Sequence, residues 1–295
     1  MAVYKRSFRP YAGELTAPAS RFLVLARYAL RDIFRSKLFV VFLTLCFVYP
    51  LLSTLAIYLR HNADLLTSLT ALGAEIDEWV PIDERFFGIF LRVQGTLAFF
   101  LVLFSGPRLV SRDLANNGLA LYLCRPFTKT QYVAGKLSVL AILMSAITWV
   151  PGLLLFLLQA GLVGRAWAIE NWRSAVALVV GSWVWIAVLG FLALAVSAWV
   201  KWRPVAGFLL LLLFFGGGLF AQIFKELFKS QWGNVFDLHH NMRNVWAQLF
   251  GTDAPFFWNP PTDLPGWAAW AAIGLLVVFS LMMLNRRIRA YEVIR

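Results

Sequence analysis

Charged residues are what this chain has least of. Only 14% of its 295 residues are charged and only 15 are acidic, against about 25% charged in a typical soluble domain. The counterpart of that deficit is 60% hydrophobic residues, 16% aromatic residues and a mean hydropathy of +0.71. Too little polar surface is left to face water, which excludes a soluble enzyme. Histidine and cysteine are scarce as well, at three and two residues. Cys46 lies in an apolar run and Cys124 in a basic loop, so no disulfide is expected between them. No HExxH, no GxSxG and no cysteine pair at zinc spacing occurs, which removes the usual routes to metalloprotease or serine-hydrolase chemistry. The adjacent His239 and His240 are a weak metal signal, because neighbours on a helix point about 100° apart. A phosphate cradle is missing too. Gly135-Lys136 is the only Gly-Lys pair, with Leu137 after it and Thr130 five residues before it. A P-loop needs Ser or Thr at the first of those places and glycine at the second. No metal, ATP or other cofactor bound by this chain itself is expected.

What is present is long apolar runs. A membrane span needs about 20 mostly apolar residues, and six stretches qualify: 38–59, 87–107, 137–163, 174–200, 204–224 and 267–285. They predict an all-α polytopic membrane protein. The two longest must tilt, kink or emerge into the headgroups. Pro50 in span one and Pro151 in span three each remove a backbone hydrogen bond and predict kinks. Gly216-Gly217-Gly218 in span five allows a bend or very close packing.

The net charge of +12 follows the same pattern. Of 27 lysines and arginines, 19 fall on the N-terminal segment, loops two and four and the C-terminal tail, against 7 on loops one, three and five. The positive-inside rule therefore predicts cytoplasmic termini and cytoplasmic loops two and four. The basicity is topological, and no nucleic-acid partner is expected; the expected solvent for the six spans is the lipid bilayer. The expected organisation is a cytoplasmic tail and amphipathic helix at 1–37, a six-span domain at 38–285 and a cytoplasmic tail at 286–295.

Residues 1–37 are too long and too charged for the leading region of a signal peptide. A helix is expected to start near Thr16-Ala17-Pro18, capped by Thr16 or Ser20. Phe22, Leu25, Ala29, Ile33 and Phe34 then form an apolar stripe, with Arg21, Arg27, Arg31 and Arg35 elsewhere. Such a helix is expected to lie on the cytoplasmic membrane surface, arginines toward anionic headgroups.

On the outer side, Leu65, Leu66, Leu69 and Leu72 in loop one predict a short helix. Met242 to Phe250 in the long outer loop 225–265 predicts another. Trp258-Asn259-Pro260-Pro261 reads either as an interfacial aromatic belt or as part of a re-entrant, gating element. Arg92 is the one ionisable side chain set well inside a span, about 8 Å from the outer edge at 1.5 Å per residue. It can snorkel to the interface or mark a substrate pathway. Gln94, Gln159 and Gln222 also sit in outer halves of spans; with Arg92 they are the candidates for a polar substrate path. A lipid-modifying enzyme would need convergent ionisable residues at the interface, and only Asp83, Glu84 and Arg85 offer a start.

Loop two, residues 106–136, reads GPRLVSRDLANNGLALYLCRPFTKTQYVAGK. Arg112 to Tyr122 can form a short helix, which Arg125-Pro126 ends because the residue before proline resists the helical conformation. A part-apolar helix flanked by positive charge is either a docking element for a cytoplasmic protein or an ordinary basic loop.

Asp113, Gly118, Leu119 to Leu123, Arg125-Pro126 and Gly135-Lys136 together resemble the signature of ABC-2 type permeases, the membrane subunits of a group of ATP-binding-cassette exporters. Leu-Tyr-Leu-Cys-Arg-Pro is the most specific part, and Arg112 stands where many members carry the first of two acids. The resemblance implies an N-terminal amphipathic helix, six spans, cytoplasmic termini and outer helices in loop five, in the inner membrane of a prokaryote. It implies a permease working with a separate ATPase subunit, which holds ATP and Mg, and with a second permease copy or sister subunit. Loop two would be the coupling helix, with Asp113, Asn117, Gly118, Leu119, Leu123 and Arg125 as docking contacts and Arg112 and Lys129 beside them. The substrate could be exported, or ATPase motion could serve a membrane-embedded assembly or regulatory subunit mechanically.

Overall fold

The computed structural model describes residues 20–62, 82–115, 128–200, 202–252 and 264–287. The basic tail, the leucine helix of loop one, residues 116–127 of loop two, the Trp258–Pro261 break and the last eight residues lie outside these. Among the described residues there are helices and no strands, and six segments are long and apolar enough to cross a membrane.

Proline shapes the spans. The N-terminal helix, α1, is Arg21–Phe34, and span one is two helices, α2 Lys37–Cys46 and α3 Val48–His61. The break at Phe47 follows from Pro50, which has no N–H for the Cys46 carbonyl and whose ring crowds it. That freed carbonyl accepts a hydrogen bond at 3.0 Å from the buried Gln94 side chain of span two. Span three is likewise broken at Thr148, three residues before Pro151, into α5 Lys129–Ile147 and α6 Trp149–Val163. Thr128 opens α5 with a reciprocal capping box to Gln131.

Span two, α4, is longer than its hydropathy predicts. It runs unbroken from Glu84 through Pro107 to Ala115, about 48 Å at 1.5 Å per residue. Beyond Pro107 its ladder is stitched from outside: the Val110 and Ser111 amides donate to Ser197 Oγ at 3.2 and 3.0 Å, and the Ser111 hydroxyl donates to the Val200 carbonyl at 2.7 Å. Ser197 belongs to span four, α8 Trp172–Trp199, which follows the short helix α7 Arg165–Glu170. Arg203 and Pro204 then start span five, α9 Arg203–Phe228, with proline in the first turn where its missing N–H is harmless.

Spans two, three and four form the centre, each with 56% of its apolar window buried, whereas spans one, five and six have 22–28% buried and form the rim. The N-terminal helix α1 packs on α5, where Gly135 leaves room for the Phe22 carbonyl and Leu25. The expected stripe thus turns toward the protein: Ile33 is buried and Phe22, Leu25 and Ala29 are half-buried, while Phe34 is exposed. Leu23, Val24, Tyr28, Arg27 and Arg31 face outward instead.

After span five the chain turns back into the bundle. A 3-10 helix, Gln231–Phe236, leads to α10 Leu238–Phe250, which starts four residues earlier than the periodicity predicts and is capped by Asp237. The Phe236 carbonyl and Asp237 rest on Gly217, eleven residues before the end of span five. This is a descent of about 16 Å along the span at 1.5 Å per residue. From there α10 climbs back and ends at Gly251 in the left-handed conformation, under the Arg173 guanidinium. Arg173 donates to the Leu249 and Gln248 carbonyls at 3.0 and 2.9 Å, and Gln248 in turn donates to Gly266, the first residue of span six, α11 Gly266–Arg287. The segment after span five is therefore a re-entrant hairpin wedged between the spans.

A methyl group on Gly217 would run into the Phe236 backbone, whereas one on Gly216 meets only Leu212 of its own helix and one on Gly274 meets nothing. Gly217→Ala is expected to cost about 1–3 kcal/mol as an overpacked contact. Gly216→Ala and Gly274→Ala should be close to neutral. Thermal unfolding of the three variants in detergent checks this.

Candidate functional site

Two clusters of polar side chains interrupt the apolar bundle, one at each end. At the end carrying α1, Asp113 near the close of α4 meets Lys136 of α5, Nζ to Oδ2 2.8 Å. The Tyr132 hydroxyl donates to the same oxygen at 2.8 Å, and the ammonium lies 5.5 Å from the Tyr132 ring centre. One turn separates Tyr132 from Lys136, so both reach the same carboxylate from one face of α5. Lys136 is only 5% exposed and Tyr132 is fully buried. A cavity of about 230 Å³ opens beside the pair, between α1 and spans two and three, with Asp32 and Arg108 at its wall. The two arms of loop two are thus joined where they leave the bundle.

Of the predicted docking residues, Asp113 is turned into this pair and Lys129 is exposed at the start of α5. Arg112 lies on the last turn of α4. Asn117, Gly118, Leu119, Leu123 and Arg125 fall outside the described residues.

At the opposite end the centre of the cluster is Trp246 of α10. It occupies the space left by two glycines, Gly95 of span two and Gly181 of span four; an added Cβ would lie 2.5 and 2.8 Å from its ring. Its Nε1 donates to the Gly181 carbonyl at 3.2 Å, and Trp185 Nε1 donates to the Gly95 carbonyl at 2.8 Å. The two indoles meet edge to face, centroids 5.7 Å apart. Both are essentially buried, and each indole N–H has found the acceptor that burial requires.

Around this wedge lie Arg92, His239, His240 and Arg243. His239 packs against Phe214 of span five, centroids 5.4 Å apart, and Phe214 stacks on Phe99 of span two at 3.8 Å. His240 is buried and pairs with Asn244 at 3.1 Å. Burial first, then the charges of Arg243 and Arg92, push the His239 ring down to about 4, and burial with Arg92 pushes Arg243 down to about 10; Asp237 acts the other way on both. The His239–His240 pair is thus divided, one ring against an aromatic side chain and the other on an amide.

The predicted polar path is distributed differently. Arg92 is half-buried. Gln94 and Gln159 are buried, each with an unpaired Oε1, and Gln94 serves the broken turn of span one. Gln222 is exposed on span five. Among the described residues no hydrogen bond links the four. Sequence reasoning missed Trp185 and Trp246 as the wedge between spans two and four. The signal was faint: a basic, histidine-containing turn inside a loop otherwise read as outer surface. A separate apolar cavity of about 360 Å³ lies among spans four, five and six and the hairpin, lined by Leu192, Leu213, Phe236, Leu238, Ile273 and Phe279 among others.

No protein-family model matches this chain, and no curated protein matches its sequence significantly.

Two predictions follow from the clusters themselves. Lys136→Met leaves Asp113 charged in a nearly closed site and is expected to cost about 3–5 kcal/mol, most of it recovered in Lys136→Met/Asp113→Leu. A double-mutant cycle by thermal unfolding reads this. For His239, the ring is neutral in folded and unfolded chain above pH 6.5, while between 6.5 and about 4 only the unfolded chain takes up the proton. Stability should therefore fall as pH drops through that window. The fall should be shallower in His239→Gln, with buried His240 supplying the remainder; unfolding midpoints at pH 7 and pH 5 give the comparison.

Proposed function

We propose that this chain is the permease subunit of an ABC-2 type exporter. The observation that carries the reading is the loop-two sequence Asp113…Gly118-Leu-Ala-Leu-Tyr-Leu-Cys-Arg-Pro126…Gly135-Lys136, which resembles the coupling segment of that family. The architecture is compatible with it: six spans, a helix before the first of them, and a hairpin between the fifth and the sixth. In this reading the termini and loop two face the cytoplasm of a prokaryotic cell, α1 lies near the inner face of its inner membrane, and the hairpin is on the outer side.

The mechanism is mechanical. A separate ATPase subunit binds ATP and Mg and receives the loop-two helix through Asn117, Gly118, Leu119, Leu123 and Arg125, with Arg112 and Lys129 beside them. A second permease copy, or a sister subunit, completes the membrane pore. Thrust on loop two enters spans two and three together, because the Asp113–Lys136–Tyr132 cluster ties the two arms where they enter the bundle. In this reading Asp113 couples by holding the loop's base and not by touching the ATPase. Nucleotide and substrate each favour one arrangement of the spans, and that difference is the coupling free energy between the distant sites. The chain itself performs no catalysis.

The test is co-expression with an ABC ATPase subunit of the same cell, purification in lipid nanodiscs, and ATP hydrolysis by wild type and Leu119→Asp. Placing a charge in an apolar docking groove costs several kcal/mol unless it finds a partner, on the order of 2–7 for an unpaired polar group. Wild type should retain the ATPase and the variant should lose it. Retention by both, or by neither, sinks the coupling assignment. If the ATPase couples but reconstituted vesicles export nothing, a mechanical assembly or regulatory subunit becomes the better reading.

A further inference from the structure

Spans three and six barely touch among the described residues, and the seam between them is open. A cavity of about 410 Å³ lies there, between the first turns of α5 and the last turns of α11. That is within the range of sites that bury a small ligand, about 300–1,000 Å³. Its lining is sorted along the bundle axis. α5 starts at this end and α11 finishes at it, so polar residues at the two helix ends, Lys129, Thr130 and Asn285, form one wall. Val133, one turn into α5, and Val278, Leu281 and Met282, one to two turns back along α11, form the apolar remainder. Their spacing keeps Val278, Leu281, Met282 and Asn285 on one face of α11. From Val278 to Asn285 the slot runs about 10 Å at 1.5 Å per residue.

The charge of the slot is of one sign. Lys129 is exposed and no carboxylate lines the cavity; among the described residues none forms an ion pair with Lys129. Arg286, also exposed, follows Asn285, and the positive end of the α5 dipole falls at the same place. Arg287 is turned the other way, onto Trp199 of span four, 5.8 Å from its ring centre. Leu281 and Met282 are exposed, so the apolar part opens sideways, on the flank that six apolar spans present to lipid. An apolar slot two turns long, open at the side and headed by an ammonium, has the polarity of a lipid with a negative headgroup.

We propose that this slot binds one anionic phospholipid, its headgroup phosphate on Lys129 and the Asn285 amide and an acyl chain along Val133, Val278, Leu281 and Met282. Attraction between a lysine and an anionic headgroup acts anywhere on a membrane surface; the slot adds burial of the chain, which ties the lipid to this one seam. The bound lipid fastens the start of α5, where loop two ends, to the last span. The site needs only this chain and its lipid, so it and the ATPase reading can fail separately.

The test uses the full chain in dodecyl maltoside, without any ATPase, and follows its unfolding midpoint. The probes are phosphatidylglycerol, phosphatidylcholine as the zwitterionic lipid and glycerol phosphate as a headgroup without chains. A ligand that binds only the folded state raises the midpoint saturably. Phosphatidylglycerol is expected to do so, phosphatidylcholine to need several-fold more, and glycerol phosphate to do nothing. Lys129→Gln should weaken the phosphatidylglycerol response about fivefold, which is what one basic residue beside an anionic headgroup contributes. With no lipid added it should unfold as wild type does, since the side chain is exposed. Val278→Phe fills the apolar half of the slot and should remove the response; if that variant does not fold, Met282→Phe in the same slot takes its place. Lys37→Gln, at the exposed start of span one, removes the same charge elsewhere and should change nothing. The proposal is overturned if phosphatidylglycerol gives wild type no saturable rise, or if phosphatidylcholine or glycerol phosphate acts as strongly. It is also overturned if Lys129→Gln loses no more than Lys37→Gln, or if the filled slot responds as wild type does.

Discussion

A backbone group freed inside an apolar bundle has no water to turn to, and that constraint organises this protein. Pro50, Pro107 and Pro151 each free or displace backbone groups within a span, and at two of these three sites a neighbouring span answers. Gln94 reaches across to the Cys46 carbonyl that Pro50 cannot serve, and Ser197 takes the amides that follow Pro107. The kinks are thereby converted into contacts between particular helices. Span two takes part in both, which fixes it against span one near its middle and against span four near its end.

The seam between spans two and four carries the same logic outward. Gly106 leaves room for Ala193 at one level, while Gly95 and Gly181 leave room for Trp246 at another. Small residues let the backbones approach, and large ones from a third element fill what remains. The hairpin is therefore part of the core and not an ornament on the outer loop. Gly217 completes its seat on span five.

Much of this was legible in the sequence, because hydropathy and proline act locally. The six spans, the kinks at Pro50 and Pro151 and the tight packing at the glycine triplet all follow from residues close in the chain. The full length of span two did not, since Arg108, Arg112 and Asp113 lower the hydropathy just where the helix continues. The face of α1 was read correctly as apolar, yet nothing local says that α5 and not lipid would cover it. Of the hairpin only a helix from Met242 to Phe250 was expected, because its polar turn with His239, His240 and Arg243 looks like surface until Trp246 is seen between two glycines. The seating of Trp246 between Gly95 and Gly181 is a tertiary fact with no local sign.

Span two also links the two ends of the molecule. Arg92 and Asp113 lie on the same unbroken helix, 21 residues apart, or about 31 Å at 1.5 Å per residue. Between them stands Pro107, the one point where the rod has lost part of its own ladder and leans on Ser197. Ser197 answers that loss with a single oxygen, which accepts from the Val110 and Ser111 amides at 3.2 and 3.0 Å. A hydroxyl is suited to that place, since one oxygen carries two acceptor lone pairs and a donor, where a packed methyl carries none. Span four thus supports span two between its two polar ends, at the point where proline has removed a rung of its own ladder.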